Sequence, residues 1–171
     1  MLRLLSSGEK LNLERFYPYK IVNEILEDLK AKIAEKNQSL EIIFDNKNMY
    51  IEADIALMKQ CLFNIINNAV RYSKNGAKIE IKQNDKILRV KNYGVGISAD
   101  NLEKIFEAFY CVDKSRSKKI GGSGLELAIT KEIVERHGFF IRAESVSDRF
   151  VEFIIDFNKK YIEDVKVVEK R

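Results

Sequence analysis

Metal-cluster and cross-linking chemistry have almost nothing to work with in this sequence. Its 171 residues include two cysteines and one histidine. Cys61 and Cys111 lie fifty positions apart, form no Cys-x-x-Cys pair and have no histidine at ligand spacing. That pattern argues against a zinc site and a disulfide framework, and makes a reducing cytoplasm the default compartment. No apolar run reaches the roughly 20 residues of a membrane-spanning helix, and the first residues lack the basic-then-apolar layout of a signal peptide. Neither sign of charge dominates: 30 basic against 26 acidic residues leave a net +4, too little to argue for a nucleic-acid partner. Internal repeats and low-complexity tracts are also missing.

What is present suits one compact, soluble domain. Apolar residues make up 46% of the chain and charged residues 33%, enough for a single core under a solvated surface. Residues 1–13 read as the frayed end of a helix running into a turn. After Pro18, Ile21, Val22, Ile25, Leu26, Leu29 and Ile33 recur at helical spacing opposite charged positions, which predicts an amphipathic helix. Ser39 to Phe44 and Met49 to Glu52 predict two strands around a polar turn. Asp54 stands at an N-cap position before a long helix, Ile55 to Tyr72. Ala77 to Gln83 and Lys86 to Lys91 alternate at period two and predict a hairpin. A glycine-punctuated segment, a short helical turn over Leu102 to Phe106 and a basic, serine-rich loop follow. A helix from Gly124 to Arg136 and strands at Phe139 to Ser145 and Arg149 to Phe157 complete the order, and residues 158–171 form a charged tail. This order predicts an α/β (α+β) two-layer sandwich, a mixed, largely antiparallel sheet covered on one face by about three helices.

Three segments carry candidate chemistry. Asn64, Asn68 and Arg71 recur at i, i+4 and i+7 of the second helix and share one face. Burying them unpaired would cost about 1 to 3 kcal/mol each, so they are either a solvated stripe or a polar site. Amide oxygens suit Mg2+, and a guanidinium suits phosphate. The second segment, Asn92-Tyr93-Gly94-Val95-Gly96-Ile97, ends a strand with two close glycines, which fits a sharp turn or a backbone pressed on a flat ligand. The third, Gly121-Gly122-Ser123-Gly124-Leu125, runs into a helix N-terminus, where free N–H groups favour phosphate. It lacks the Gly-Lys-Ser/Thr of a P-loop and does not follow a strand as a dinucleotide fingerprint does.

Together, and in this order, the segments resemble the ATPase domain of sensor histidine kinases, a branch of the superfamily that includes DNA gyrase and MutL. The resemblance covers about residues 16–157. The family's asparagine box, Asn-x-x-x-Asn-Ala-x-Lys/Arg-Tyr/Phe, reads here Asn64-Ile65-Ile66-Asn67-Asn68-Ala69-Val70-Arg71-Tyr72. Ile105-Phe106-Glu107-Ala108-Phe109-Tyr110 looks like its phenylalanine box, leading into a lid over about residues 106–121. The resemblance implies the Bergerat ATP-binding fold over residues 14–157, with residues 1–13 a remnant of the dimerisation and phosphoacceptor segment. It implies ATP and Mg2+ as cofactors, Asn68 and possibly Asn64 on the metal, and Arg71 and Arg116 on the phosphates. Tyr72, Asn92, Gly94, Gly96, Ile97, Phe109, Gly122, Ser123, Gly124 and Leu125 are implied around the nucleotide, with Asn64, Asn68 and Arg116 in the catalytic role. The implied partners are a histidine-bearing dimerisation domain of the same kinase and a response regulator receiver domain, with a homodimeric, membrane-anchored parent and this domain in the cytoplasm. His137, in Arg136-His137-Gly138, is expected to be structural.

Three positions depart from the family pattern. Asn92 stands where an aspartate usually accepts the adenine amino group, Cys111 where many members have a lid arginine, and Glu126 where the box Gly-x-Gly-Leu-Gly-Leu has glycine. An alternative reading is therefore a degenerate docking module without nucleotide affinity. A third is an anti-sigma-type serine kinase of the same superfamily.

Overall fold

The computed structural model describes residues 10–112 and 123–158. Strand β1 (Leu13–Phe16) leads into helix α1 (Pro18–Glu35), whose start is set by proline at its first position. Strands β2 (Ser39–Phe44) and β3 (Ile51–Asp54) follow, and β3 runs directly into helix α2 (Ile55–Tyr72). The Asp54 carboxylate accepts the Leu57 N–H at 3.2 Å, the cap expected of that residue. The hairpin β4 (Lys78–Asn84) and β5 (Ile87–Asn92) leads to the short helix α3 (Ala99–Leu102) and a 3-10 turn at Lys104–Phe106. Helix α4 (Glu126–Arg136), β6 (Phe140–Val146) and β7 (Phe150–Asp156) complete the described order.

The main sheet has five strands in the order β2-β4-β5-β7-β6. Only β2 and β4 pair in parallel, so the sheet is mixed and largely antiparallel. The two strands expected on either side of the Asp45 turn belong to different sheets, because β3 pairs antiparallel with β1 in a separate two-stranded ribbon. Strand β1, over Leu13–Phe16, is an element that the sequence pattern did not predict.

Period-two alternation sorts the central strands into two faces. Ile79, Ile81, Leu88, Val90, Phe153 and Ile155 face the helices and are buried. They meet Ile25 and Leu29 of α1, Met58, Leu62, Ile65 and Ile66 of α2, and Ile133 of α4 in one core. Lys78, Glu80, Lys82, Arg89 and Glu152 point to the other, open face.

Two contacts hold α2 at the centre. The Lys36 ammonium donates to the carbonyls of Val70, Arg71 and Ser73 at 2.8, 2.8 and 2.9 Å, satisfying the last turn with a cation where the helix dipole favours one. At its other end, His137 Nε2 accepts the Asp54 N–H at 2.9 Å while Nδ1 donates to the Ile133 carbonyl at 2.7 Å. The histidine is 6% exposed and stacks on Phe139, so it ties the end of α4 to the start of α2 as a structural residue. Cys61 is fully buried, and desolvation pushes its thiol up to about 12, which makes it inert.

Candidate functional site

The strand order places a cleft between α2, the end of β5 and the start of α4, with β7 as its floor. It encloses about 1000 Å³ of space, open solvent at its mouth included. Asn68, Arg71 and Tyr72 line it from α2, because the face opposite the Leu62 and Ile66 core positions turns toward α4. Asn92, Gly96 and Ile97 come from the end of β5 and the turn after it, and Gly124 from the approach to α4. All three chemistry-bearing segments of the sequence thus meet at one cleft.

Other expected residues stand beside it. The Asn64 amide donates to the Glu126 carbonyl and to the Thr130 hydroxyl, both at 3.2 Å, which fastens α2 to α4. Thr130 in turn donates to the same Glu126 carbonyl at 2.8 Å. Gly94 is required by chain packing: a side chain there would overlap the Tyr72 carbonyl oxygen, since Gly94 bridges to Ser73 at the end of α2. Gly96 combines a φ of 68° with a Cβ direction blocked by the Val146 carbonyl. Both glycines serve close backbone approach, and only Gly96 lines the cleft. Phe109 is 59% exposed, and its N–H donates to the Gly124 carbonyl at 2.9 Å, pinning the first residues of the expected lid to the segment after it. Arg116 and Gly122 lie outside the described residues.

The start of α4 already carries an anion. The Ser123 N–H donates to the Glu126 carboxylate at 3.3 Å and the Leu125 N–H to the Ser123 hydroxyl at 3.2 Å, a reciprocal arrangement like a capping box. Burial pushes the Glu126 carboxyl up, but hydrogen bonds from its own backbone and from Ser123, with the Arg71 charge, bring it below the usual range. A carboxylate therefore holds part of the N–H set that a helix start offers to phosphate, and it lines the cleft near a guanidinium.

Several lining residues are absent from the sequence-derived set: Ile105, Tyr110, Leu127, Val151 and Phe153. Val151 and Phe153 were legible as the inward positions of an alternating strand, but their place under the cleft follows from β7 pairing with β5. Tyr110 is anchored by donating its hydroxyl hydrogen to Asn101 Oδ1 at 2.5 Å.

The donor set fits a nucleotide that brings its own metal. Among the described residues no cluster of three histidine, cysteine or acidic side chains could cage a cation. Asn68 offers an amide oxygen at the cleft, suited to a Mg2+ that keeps phosphate and water ligands. The apolar floor and the buried, unpartnered Nδ2 of Asn92 suit a flat heterocycle with polar edges.

Comparison with known proteins agrees with this geometry. The family model described as histidine kinase-, DNA gyrase B-, and HSP90-like ATPase matches residues 53–160. The sensor protein kinase WalK of Staphylococcus aureus is 34% identical over 165 residues, 93% of this chain and 39% of its own length. The chain spans at most 39% of the length of the first curated relatives it matches. The nucleotide-free catalytic domain of histidine kinase ThkA superposes with a TM-score of 0.73 at 29% identity, covering 86% of this chain and 96% of that one. ThkA in complex with the response regulator protein TrrA superposes with a TM-score of 0.70 at 28% identity, over 88% of this chain and 42% of that one.

Proposed function

From the premise that this chain belongs to the histidine kinase-, DNA gyrase B-, and HSP90-like ATPase family, as a sensor histidine kinase ATP-binding domain, we propose that its cleft binds Mg-ATP and presents the γ-phosphoryl group to a histidine on a separate phosphoacceptor domain. The observation that carries this reading is the convergence of Asn68, Arg71, Asn92 and Gly124, from three separate segments, on one cleft.

In this reading the base enters over Val151 and Phe153 against Asn92, and the phosphates point toward Arg71 and the start of α4. Asn68 would hold the Mg2+ that accompanies the phosphates, which would supply charge neutralisation there. Asn64 keeps α2 and α4 at the right separation. Phosphoryl transfer asks for alignment and charge neutralisation more than covalent chemistry, which is what amides, a guanidinium and a helix start supply. Arg116 from the lid and Gly122 just after it belong to the proposal as phosphate contacts, with Tyr72, Gly96, Ile97, Phe109, Ser123 and Leu125 around the nucleotide and Gly94 acting through the backbone that shapes the turn. Residues 14–157 act as the ATP-binding unit, and residues 1–13 join it to the dimerisation domain. The response regulator bound to ThkA supports a receiver domain as the downstream partner, and the parent works as a membrane-anchored homodimer with this domain in the cytoplasm.

Transfer in trans tests the reading. The chain is mixed with Mg-ATP and a histidine-bearing phosphoacceptor domain of a related kinase, and labelled phosphohistidine is followed. Transfer that disappears in Asn68→Asp is the expected result. Transfer unchanged by that substitution would refute the assignment. One observation favours a second reading, a docking module without turnover: the Glu126 carboxylate already occupies N–H groups at the start of α4. That reading expects a folded chain with no nucleotide affinity.

A further inference from the structure

Among the described residues of the cleft, Asn92 carries a buried amide nitrogen that no protein group answers. Asn92 is 3% exposed, and its Nδ2 is buried without a hydrogen bond. Its position explains why. Asn92 ends β5 between Ile79 of β4 and Val151 of β7, so neither neighbouring strand places an accepting side chain beside it. Its side chain joins Val151, Phe153, Gly96 and Ile97 in lining the cleft. Leaving such an amide unsatisfied is costly, so its partner comes from outside the protein, as solvent or as a ligand that displaces it.

The chemistry of the amide determines which ligands can answer it. A carboxylate at this position only accepts hydrogen bonds, whereas an amide presents one acceptor and two donors of nearly the same shape. Adenine offers an amino group at position 6, a donor that Asn92 Oδ1 can accept. A 6-oxopurine offers a carbonyl oxygen there, an acceptor for the unpartnered Nδ2. No hydrogen bond to a described residue commits the amide to either orientation, so it can turn to meet both. We propose that Asn92 makes the cleft permissive at purine position 6, so that it takes 6-oxopurine nucleoside triphosphates as well as ATP. This inference rests on the nucleotide-binding reading above and specifies the base selectivity of that same cleft.

Titration calorimetry of the chain with the β,γ-imido analogues of ATP and ITP, in Mg2+, tests it. These bases differ at position 6 and in the proton at N1. The unmodified chain is expected to separate them by less than about tenfold in Kd. Asn92→Asp is expected to widen the ratio to about a hundredfold, chiefly by losing the inosine analogue, because a carboxylate cannot donate to the 6-oxo group and repels it, which outweighs the bond it can accept from N1–H. An unmodified chain that already rejects the inosine analogue by about a hundredfold overturns the inference while leaving ATP binding intact. A folded Asn92→Asp chain with an unchanged ratio also overturns it. If the variant does not fold, the ratio for the unmodified chain decides. Binding of neither analogue refutes the nucleotide reading and the inference together.

Discussion

Two polar regions lie on opposite faces of the same sheet, and their hydrogen bonds are settled in opposite ways. On the open face, Glu80 receives Lys78 at 3.0 Å, Lys82 at 2.5 Å and the Tyr93 hydroxyl at 2.7 Å, and Glu41 receives the same two lysines at 3.1 and 3.3 Å. One residue earlier than Tyr93, Asn92 points to the other face and its Nδ2 has no partner. The last residue of β5 and the one after it thus serve an open site and a closed network. Polar groups that answer one another hold the sheet together, while a buried group with no answer marks where a ligand belongs.

Four substitutions probe this contrast, and the largest effect belongs to the cleft. Asn68→Asp is expected to lower phosphoryl transfer to a separate phosphoacceptor domain by about a hundredfold or more, with the thermal midpoint within a few degrees of the parent. A loss of transfer accompanied by unfolding would make Asn68 a structural residue instead. Gly96→Ala forces a side chain against the Val146 carbonyl at a φ of 68°, and should cost about 2 to 3 kcal/mol in urea unfolding. A cost below about 0.5 kcal/mol would show that the turn gives way easily.

The closed network is expected to act on stability and its pH dependence. Burial pushes the Glu80 carboxyl up, but hydrogen bonds from Lys82, Tyr93 and Lys78 outweigh this and hold it at about 2 against an ordinary 4.5. Its folded value lies below its unfolded one, so its contribution is present above about pH 4.5 and is lost as pH falls through about 2. Allowing for water at the half-exposed lysines, the contribution is about 1 to 2 kcal/mol. Glu80→Gln should remove that amount at pH 7 and flatten the acid limb of the stability curve between pH 4.5 and 2 without altering nucleotide affinity. An altered affinity would mean that the two faces are coupled. The smallest effect expected is from Glu126→Gly. Clearing the carboxylate from the start of α4 should tighten ATP-analogue binding about three- to tenfold, and weaker binding would show that the cap at Ser123 matters more than repulsion.

Legibility in the sequence followed the range of the interactions. Helix α2 occupies the residues expected of it because its cap, periodicity and end are local signals. The hairpin of β4 and β5 was visible for the same reason. Strand β1 was not: it has four residues, only Phe16 of them buried, and its pairing partners in β3 lie 35 to 41 positions away. Asn64 shows the limit of spacing arguments at the site. Its helical register placed it beside Asn68, but its amide is engaged by the backbone of α4, a contact that exists only once the two helices pack. The roles of Gly94 and Gly96 were likewise hidden, because a glycine needed near a ligand and one needed near another backbone look the same in sequence. Glu126 was legible as an acidic residue in the first turn, whereas its bond to Ser123 and its nearness to Arg71 needed the fold.

The most direct test is calorimetric titration of the chain with the non-hydrolysable ATP analogue, with and without Mg2+. The account predicts saturable one-to-one binding that Mg2+ strengthens and that Asn68→Asp makes insensitive to the metal. A well-folded chain that binds no nucleotide under either condition would contradict it.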